Sequence, residues 1–260
     1  MCRGGATIGD VIRRTWSRLF RKQWLFLYPV SLAVFDTLAF LAVYAAGDGR
    51  LGWSEFFTAN FERVQYIHDH FLASFEFTTV FGIAVFAGIA SCLFAALITA
   101  PLYHAIAGPG YPLAPRRWSE AANLFVFYVL LDLVTYVAPL SALGHQGWQD
   151  AVQVAALIIG FLVVFADYVI VYEGAPVISA LRRSLQLLRS GWFQAVGVVV
   201  ILNLVFIGLQ SLYQHFYDGR ATVFVFLPVA QILLDSIVLL FANLLLIFLY
   251  EDLRRRSPAG

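Results

Sequence analysis

The sequence has few of the residues that build disulfide-bonded domains or adaptable binding surfaces. It contains only two cysteines, Cys2 at the N-terminus and Cys92 inside an apolar stretch. A disulfide framework requires more cysteines than this, at suitable spacing. The single methionine also excludes the Met-rich surface by which promiscuous binding proteins adapt to their partners.

Charged residues are scarce as well. Only 13% of the residues are charged, whereas 61% are hydrophobic and the mean hydropathy is +0.79. An ordinary soluble domain carries roughly a quarter charged residues, so a chain this apolar requires lipid around it. The net charge of +1 provides no general attraction to nucleic acid, and we expect no nucleic-acid partner.

Motifs of catalysis and cofactor binding are missing too. There is no Walker A loop, no Gly-x-Ser-x-Gly, no His-Glu-x-x-His, no paired-cysteine metal motif and no dinucleotide fingerprint. His68 and His70 are two residues apart, so their side chains would diverge by about 200° on a helix. Tyr103 and His104 have no evident nucleophile nearby in the sequence. We therefore expect a non-enzymatic protein with no catalytic residue, no cofactor and no metal site.

Long apolar runs, by contrast, are abundant. Six stretches reach the length of ~20 apolar residues that a helix needs to cross a bilayer. They predict an all-α polytopic membrane protein in which residues 1–260 form one integral membrane domain. An amphipathic helix is expected at residues 8–22. The six predicted spans cover residues 24–46, 78–104, 121–143, 151–172, 193–213 and 223–250.

The basic residues lie mostly on one side of these spans. Fourteen of the seventeen Lys and Arg residues precede span one, separate spans two and three, separate spans four and five, or follow span six. Cytoplasmic segments of membrane proteins carry an excess of Lys and Arg. This distribution predicts that the N-terminus and the C-terminus are both cytoplasmic.

Two basic amphipathic helices are predicted on the cytoplasmic side. One is the segment 8–22, in which Arg13 and Arg14 lie opposite an apolar face. The other precedes span five, where Arg182 and Arg183 lie opposite a face that includes Leu185. We expect these arginines to contact anionic lipid headgroups, at on the order of 1 kcal/mol for each basic residue. Docking of a partner protein is the alternative use of the same surface.

Four aspartates fall inside predicted spans, and together they form the candidate polar site. Asp36, Asp132 and Asp235 lie near the middle of spans one, three and six, and Asp167 lies toward the cytoplasmic end of span four. A carboxylate at the bilayer centre costs about 2.5–3.5 kcal/mol, and no span contains a basic partner. These acids either line a proton or cation path or form interhelical hydrogen bonds that stabilise the bundle.

Span three is especially polar. On a regular helix, one of its faces would carry Tyr128, Asp132, Thr135, Tyr136 and Pro139. Such a face suits either a polar pocket or an interhelical contact.

Two stretches carry a family resemblance. Between spans four and five, Glu173-Gly174 is followed by the segment Ala-Leu-Arg-Arg-Ser at residues 180–184 and a Leu-Leu-Arg run. The last span closes with Tyr250, two acids and Leu253-Arg254. Together they resemble a family of bacterial six-span proteins that includes the membrane domain attached to some glycerophosphoryl diester phosphodiesterases. The resemblance implies a six-span fold in a bacterial plasma (inner) membrane. It transfers no catalytic residue, because the phosphodiesterase chemistry of that family belongs to a separate barrel domain.

These observations lead to two hypotheses about function. The first is a non-enzymatic inner-membrane protein with a scaffolding, envelope-maintenance or partner- or lipid-binding role. Its expected partners are the bilayer, anionic lipid headgroups and a second membrane protein. The alternative is a small proton- or cation-linked transporter or channel that uses the intramembrane aspartates.

Overall fold

The protein is all-helical wherever the structure describes it. The structure, a computed structural model, describes residues 8–47, 79–107, 117–138, 147–217 and 227–257. This part is 93% helical and contains no strand. The predicted external segment between spans one and two, including His68 and His70, lies outside the described residues.

Apolar helices follow the predicted spans closely. Their bounds are α2, Leu27–Gly47, entered through a 3₁₀ turn at Gln23–Phe26; α3, Thr79–Ala107; α4, Trp118–Asp132; α5, Gln149–Leu162; α6, Ala166–Glu173; α8, Trp192–Tyr217; and α9, Leu227–Arg256.

Within the described residues, five segments are long and apolar enough to cross a membrane, and they correspond to predicted spans two to six. Span one carries a shorter apolar segment, Gln23–Ala39. The prediction of an all-α, multi-pass membrane protein is thereby confirmed.

The fourth span is interrupted, whereas the sequence predicted one continuous helix. The helix α5 ends at Leu162, residues 163–165 form a turn, and α6 begins at Ala166. In span three, α4 continues into a π-helical turn, Leu133–Val137. Interruptions of this kind in membrane helices need hydrogen-bond partners from neighbouring elements. They commonly occur where a helix contributes to a functional site.

Two amphipathic helices lie against the ends of the bundle. The first, α1, spans Ile8–Arg21 and packs on the C-terminal part of α9 through buried residues such as Val11 and Thr15. The second, α7, spans Val177–Ser190 and packs on α6 and α9. Leu185, expected on the apolar face of α7, is exposed. The buried face of α7 consists of Val177, Ala180, Ser184, Leu187 and Leu188.

Two glycines allow the close packing of α7. Gly174, between α6 and α7, has φ +65°, in the left-handed region where residues with a Cβ are strained. Gly191, between α7 and α8, faces α9 so closely that a Cβ would lie 2.1 Å from Leu253 Cδ2. The turns on both sides of α7 therefore favour glycine, which fixes the position of this helix against the bundle.

Candidate intramembrane binding cavity

A cavity lies beside the interruption of the fourth span. Its volume is about 290 Å³; it is partly open and is lined by α4 with its π-helical turn, by α5 and α6, and by α9. Most of its surface is apolar, with polar groups at a few points. The residues that line it are Phe127, Tyr128, Leu131, Thr135, Gly160, Val163, Val164, Asp167, Tyr168, Leu239, Ala242, Asn243 and Leu246.

A side chain from α7 forms hydrogen bonds with the backbone at the interruption. The hydroxyl of Ser184 accepts a hydrogen bond from the Phe165 N–H at 3.2 Å and donates one to the Leu162 carbonyl at 2.9 Å. Ser184 is 0% exposed. A buried backbone group without a partner costs several kcal/mol in a membrane, so this one hydroxyl permits the turn.

The turn is followed at once by Asp167, whose carboxylate borders the cavity. Its Oδ1 accepts a hydrogen bond from the Tyr168 backbone N–H at 2.8 Å, and its Oδ2 accepts one from the Tyr103 hydroxyl at 2.5 Å. No Lys or Arg in the described part of the chain forms an ion pair with Asp167. The carboxylate is held in position by neutral donors alone.

A second polar group, Asn243 of α9, is held beside the same tyrosines. Its amide nitrogen donates to the Leu239 carbonyl, which leaves Oδ1 as an acceptor. This oxygen lies 3.3 Å from the Tyr168 hydroxyl and 3.1 Å from the Tyr103 hydroxyl. Because Tyr103 has one hydroxyl proton and its contact to Asp167 is shorter, we assign its hydrogen bond to Asp167. Tyr168 then donates to Asn243.

Stacked tyrosine rings extend from the cavity to the end of the bundle where α6 ends. The ring centroids of Tyr103 and Tyr168 are 4.6 Å apart, and those of Tyr172 and Tyr250 are 5.7 Å apart. Tyr168 and Tyr250, at 5.9 Å, connect the two pairs. Tyr172 and Tyr250 sit at span ends, as interfacial residues do, yet their hydroxyls bond inside the protein, to the Tyr103 carbonyl and to Glu173.

Glu173, the last residue of α6, binds side chains from two other helices at the end of this stack. Its carboxylate accepts a hydrogen bond from the Tyr250 hydroxyl at 2.8 Å. The guanidinium Nε atoms of Arg254 and Arg183 lie 3.5 Å and 3.6 Å from the same carboxylate. Arg183 also donates to the Ser257 carbonyl. Glu173 therefore connects the end of α6 to both α7 and α9.

The four arginines that were predicted to contact lipid headgroups have different environments. Arg14 is paired with Asp252 of α9 at 3.5 Å, and the Arg183 side chain is only 11% exposed beside Glu173. Arg13 is 83% exposed and pairs with Asp10 on its own helix. Arg182 is exposed as well. Of these four arginines, Arg13 and Arg182 are therefore the ones available to lipid headgroups.

The four candidate aspartates do not meet at one place. Asp167 borders the cavity, whereas Asp132 accepts a hydrogen bond from the Cys92 thiol at 3.2 Å. Asp36 is exposed on α2 and is close enough to Cys92 to interact with it electrostatically. Asp235 belongs to α9, and its side chain lies outside the described part.

The polar face predicted for span three is only partly formed. Tyr128 and Thr135 line the cavity, whereas Asp132 bonds to Cys92 of α3. Tyr128 and Asp132 both precede the π-helical turn, so Asp132 lies on the side of this face that packs on α3. Pro139 and the Tyr136 side chain lie outside the described residues.

Three residues of the site were not predicted from the sequence: Tyr168, Ser184 and Asn243. Asn243 had a usable signal, because an isolated amide inside an apolar span is expensive and commonly faces the bundle interior. Another pairing was also overlooked. His104, for which the sequence offers no evident nucleophile, has its Nε2 2.9 Å from Glu120 Oε2, and both residues are buried.

The arrangement suits binding more readily than covalent chemistry. It consists of one carboxylate, aromatic rings and an amide around a mostly apolar space. Among the described residues, no group of three or more His, Cys, Asp or Glu side chains could hold a metal ion. Comparison of the chain with protein-family models, with curated proteins and with solved structures found no match.

Proposed function

We propose that this chain is a non-enzymatic membrane protein that binds a small ligand within the bilayer, in the cavity beside Asp167. One observation carries this proposal: a carboxylate borders a mostly apolar cavity at the point where a membrane-spanning helix is interrupted. Ligand sites are typically concave and apolar, with a few convergent polar groups. Interrupted helices often line the binding sites of membrane proteins.

The proposed location is the plasma (inner) membrane of a bacterium, with both termini in the cytoplasm. The distribution of basic residues supports this orientation. The ion pair between Arg14 and Asp252 also supports it, because it brings α1 to the C-terminal end of α9. Ends on the same side require an even number of crossings, so α2 would be the crossing that joins the five long spans.

The proposed partners follow from the exposed surface and from the family resemblance. Arg13 and Arg182 are exposed at the end of the bundle that would face the cytoplasm, where they would attract anionic lipid headgroups. Relatedness to the six-span membrane domains of phosphodiesterases is part of this proposal. A second membrane protein docked on the bundle would agree with a scaffolding role for the same chain.

Ligand binding can be tested with a variant whose new side chain fills the cavity. Gly160 lines it, and a Cβ at this position would make only ordinary contact, at 3.6 Å, with Thr135 Cγ2. A Gly160→Leu variant would therefore project its side chain into the cavity. Gly88→Leu is the matched control, because a Cβ there meets nothing within 4 Å.

Native mass spectrometry of both purified variants and of the wild type would report any molecule that copurifies with the protein. We expect a bound molecule in the wild type and in Gly88→Leu, and its loss in Gly160→Leu. Equal occupancy in all three proteins, or no bound molecule in any, would contradict the proposal.

Transport linked to protons or cations is the second candidate function. The interruption of the fourth span favours it, because a turn beside a bound ligand can serve as a hinge. Flux of protons and of cations into liposomes would be compared between wild type, Asp167→Asn and Asp132→Asn. Flux abolished by Asp167→Asn, with equal insertion of all three proteins, would establish transport. Absence of flux under every gradient would exclude it and leave binding as the function.

A further inference from the structure

We propose that the ligand of this cavity is a small organic cation, whose ammonium group binds beside Asp167 and against the surrounding aromatic rings. This inference rests on the proposed binding function and names the class of ligand that the cavity would take.

The charge of Asp167 is not balanced by a basic residue among those that the structure describes. The acids at the cytoplasmic end, Glu173 and Asp252, each have arginine partners. Within the described ranges, Asp167 has only the neutral donors of Tyr103 and of the Tyr168 backbone. A carboxylate taken out of water needs an opposite charge or a proton. A cationic group in the cavity would supply that charge.

Aromatic rings line part of the cavity. The rings of Phe127, Tyr128 and Tyr168 border the same space as the carboxylate. Ammonium groups are attracted to the faces of aromatic rings, and cages of such rings recognise quaternary ammonium ligands. The remaining lining is aliphatic and includes Leu131, Val163 and Leu246, which suits the alkyl part of an organic cation.

The donor set argues against an inorganic ion. Small hard cations require about six oxygen ligands, and the side chains of the lining supply six oxygens in all. Three of these already accept hydrogen bonds: both carboxylate oxygens of Asp167 and Oδ1 of Asn243. An anionic ligand is disfavoured because the lining contains a carboxylate and no basic residue.

The test uses two probes of nearly equal shape and different charge. Benzyltrimethylammonium carries the cation, and neopentylbenzene replaces its nitrogen by carbon. Binding of each probe to the full-length protein in detergent would be measured by isothermal titration calorimetry and by the rise in unfolding temperature. We expect the wild type to bind the cation at least about tenfold more tightly than the neutral probe, as a buried charge pair with cation–π contact implies.

Matched variants identify the groups responsible. Asp167→Asn should weaken binding of the cation by about tenfold or more, with little effect on the neutral probe. Asp132→Asn, whose carboxylate contacts Cys92 outside the cavity, should leave both affinities unchanged. Tyr128→Phe should preserve binding of the cation, whereas Tyr128→Leu should weaken it because the ring is removed. The two Tyr128 variants keep the test valid even if Asp167→Asn does not fold.

The outcomes separate this inference from the function on which it rests. Equal affinity for the two probes, or equal cation affinity of Tyr128→Phe and Tyr128→Leu, would overturn the organic-cation assignment. If the wild type does not bind the cation but Gly160→Leu still loses a copurifying molecule, the ligand class is wrong and the binding function stands. If the cation does not bind and no molecule copurifies with any variant, both proposals fail.

Discussion

The Ser184 hydroxyl accepts a hydrogen bond from the Phe165 N–H at 3.2 Å. Ser184 belongs to α7, which begins twelve residues after Phe165, so a separate helix completes the hydrogen bonding of the interrupted fourth span. The same hydroxyl donates to the Leu162 carbonyl, so both sides of the turn depend on one atom. This contact joins the amphipathic helix α7 to the turn that precedes Asp167. The position of α7 and the shape of the cavity are therefore coupled.

Replacement of Ser184 by alanine should destabilise the protein. The variant removes two hydrogen bonds and leaves the Phe165 N–H and the Leu162 carbonyl without that partner. We expect a loss of about 1–2 kcal/mol in the free energy of unfolding. Unfolding by heat or by a denaturing detergent would measure it. Ser179→Ala, on the exposed side of α7, should change stability by less than about 0.5 kcal/mol. Equal effects of the two variants would show that the Ser184 contact is unimportant.

The contact between Tyr103 and Asp167 should appear as a coupling energy. Tyr103→Phe removes the donor at 2.5 Å from the carboxylate, and Asp167→Asn removes the charged acceptor. The double variant should be more stable than the sum of the single losses implies, by about 0.5–2 kcal/mol. A parallel cycle that pairs Tyr250→Phe with Asp167→Asn is the control, because Tyr250 donates to Glu173. Additive losses in the Tyr103 cycle would contradict the assigned hydrogen bond.

Neutralisation of Glu173 should cost more than neutralisation of an exposed acid. Arg183, 11% exposed, would lose its carboxylate partner in Glu173→Gln. We expect destabilisation of about 1–3 kcal/mol, since a partly buried cation is left uncompensated. Asp10→Asn breaks the exposed pair with Arg13 and should cost about 0.5 kcal/mol or less. The unfolding temperatures of the two variants and of the wild type would measure these losses. A larger loss in Asp10→Asn would refute the organising role of Glu173.

The lowered pKa of Lys22 predicts that the stability of the fold rises with pH. Partial burial disfavours its charged form, and the neighbouring Arg18 adds repulsion, so the pKa of Lys22 is lowered from 10.5. Between the folded and the unfolded pKa the unfolded chain binds more protons, so stability increases with pH in the alkaline range below 10.5. Lys22 is the only lysine in the chain, so Lys22→Met should flatten this rise. Unfolding curves at several alkaline pH values would detect the difference. An unchanged slope in the variant would contradict the assignment.

The exposed arginines should control binding of anionic lipid. Arg13→Gln combined with Arg182→Gln should weaken retention of phosphatidylglycerol by about fivefold to thirtyfold, as native mass spectrometry would measure. The unfolding temperature should hardly change, because these side chains are exposed. Arg14→Gln combined with Arg183→Gln should have the opposite profile, since both residues pair with buried or partly buried acids. Identical lipid retention in the two double variants would contradict this division.

The helices were predictable because their signals are local. Apolar runs of spanning length produced all six segments, and the heptad-like spacing around Val11 and Thr15 gave α1 almost to the residue. The interruption at residues 163–165 has no such signal. Its sequence, Val-Val-Phe, is as apolar as its surroundings, and its partner Ser184 lies on another helix. A sequence pattern does not reveal which side chain will satisfy a backbone group so far along the chain.

Only the part of the candidate site that has a local signal could be predicted. Asp167 was identified because a charged residue inside a span is conspicuous, and it does border the cavity. Its association with Tyr103 and Asn243 depends on how α3, α6 and α9 come together, which periodicity alone does not specify. Asp132 was expected to share the face of Tyr128 and Thr135, but its carboxylate contacts Cys92 of α3 and does not line the cavity.

The interrupted fourth span also imposes an order on biosynthesis. At 1.5 Å per residue, the 14 residues of α5 and the 8 residues of α6 extend about 21 Å and 12 Å, less than the ~30 Å of hydrocarbon that a crossing must cover. Neither piece can be inserted alone, so both must leave the translocon as one segment. Ser184 is synthesised only after that segment, because it follows Leu162 by 22 positions. The fourth span thus enters the membrane with its turn unsatisfied and reaches its final form once the ribosome has delivered α7.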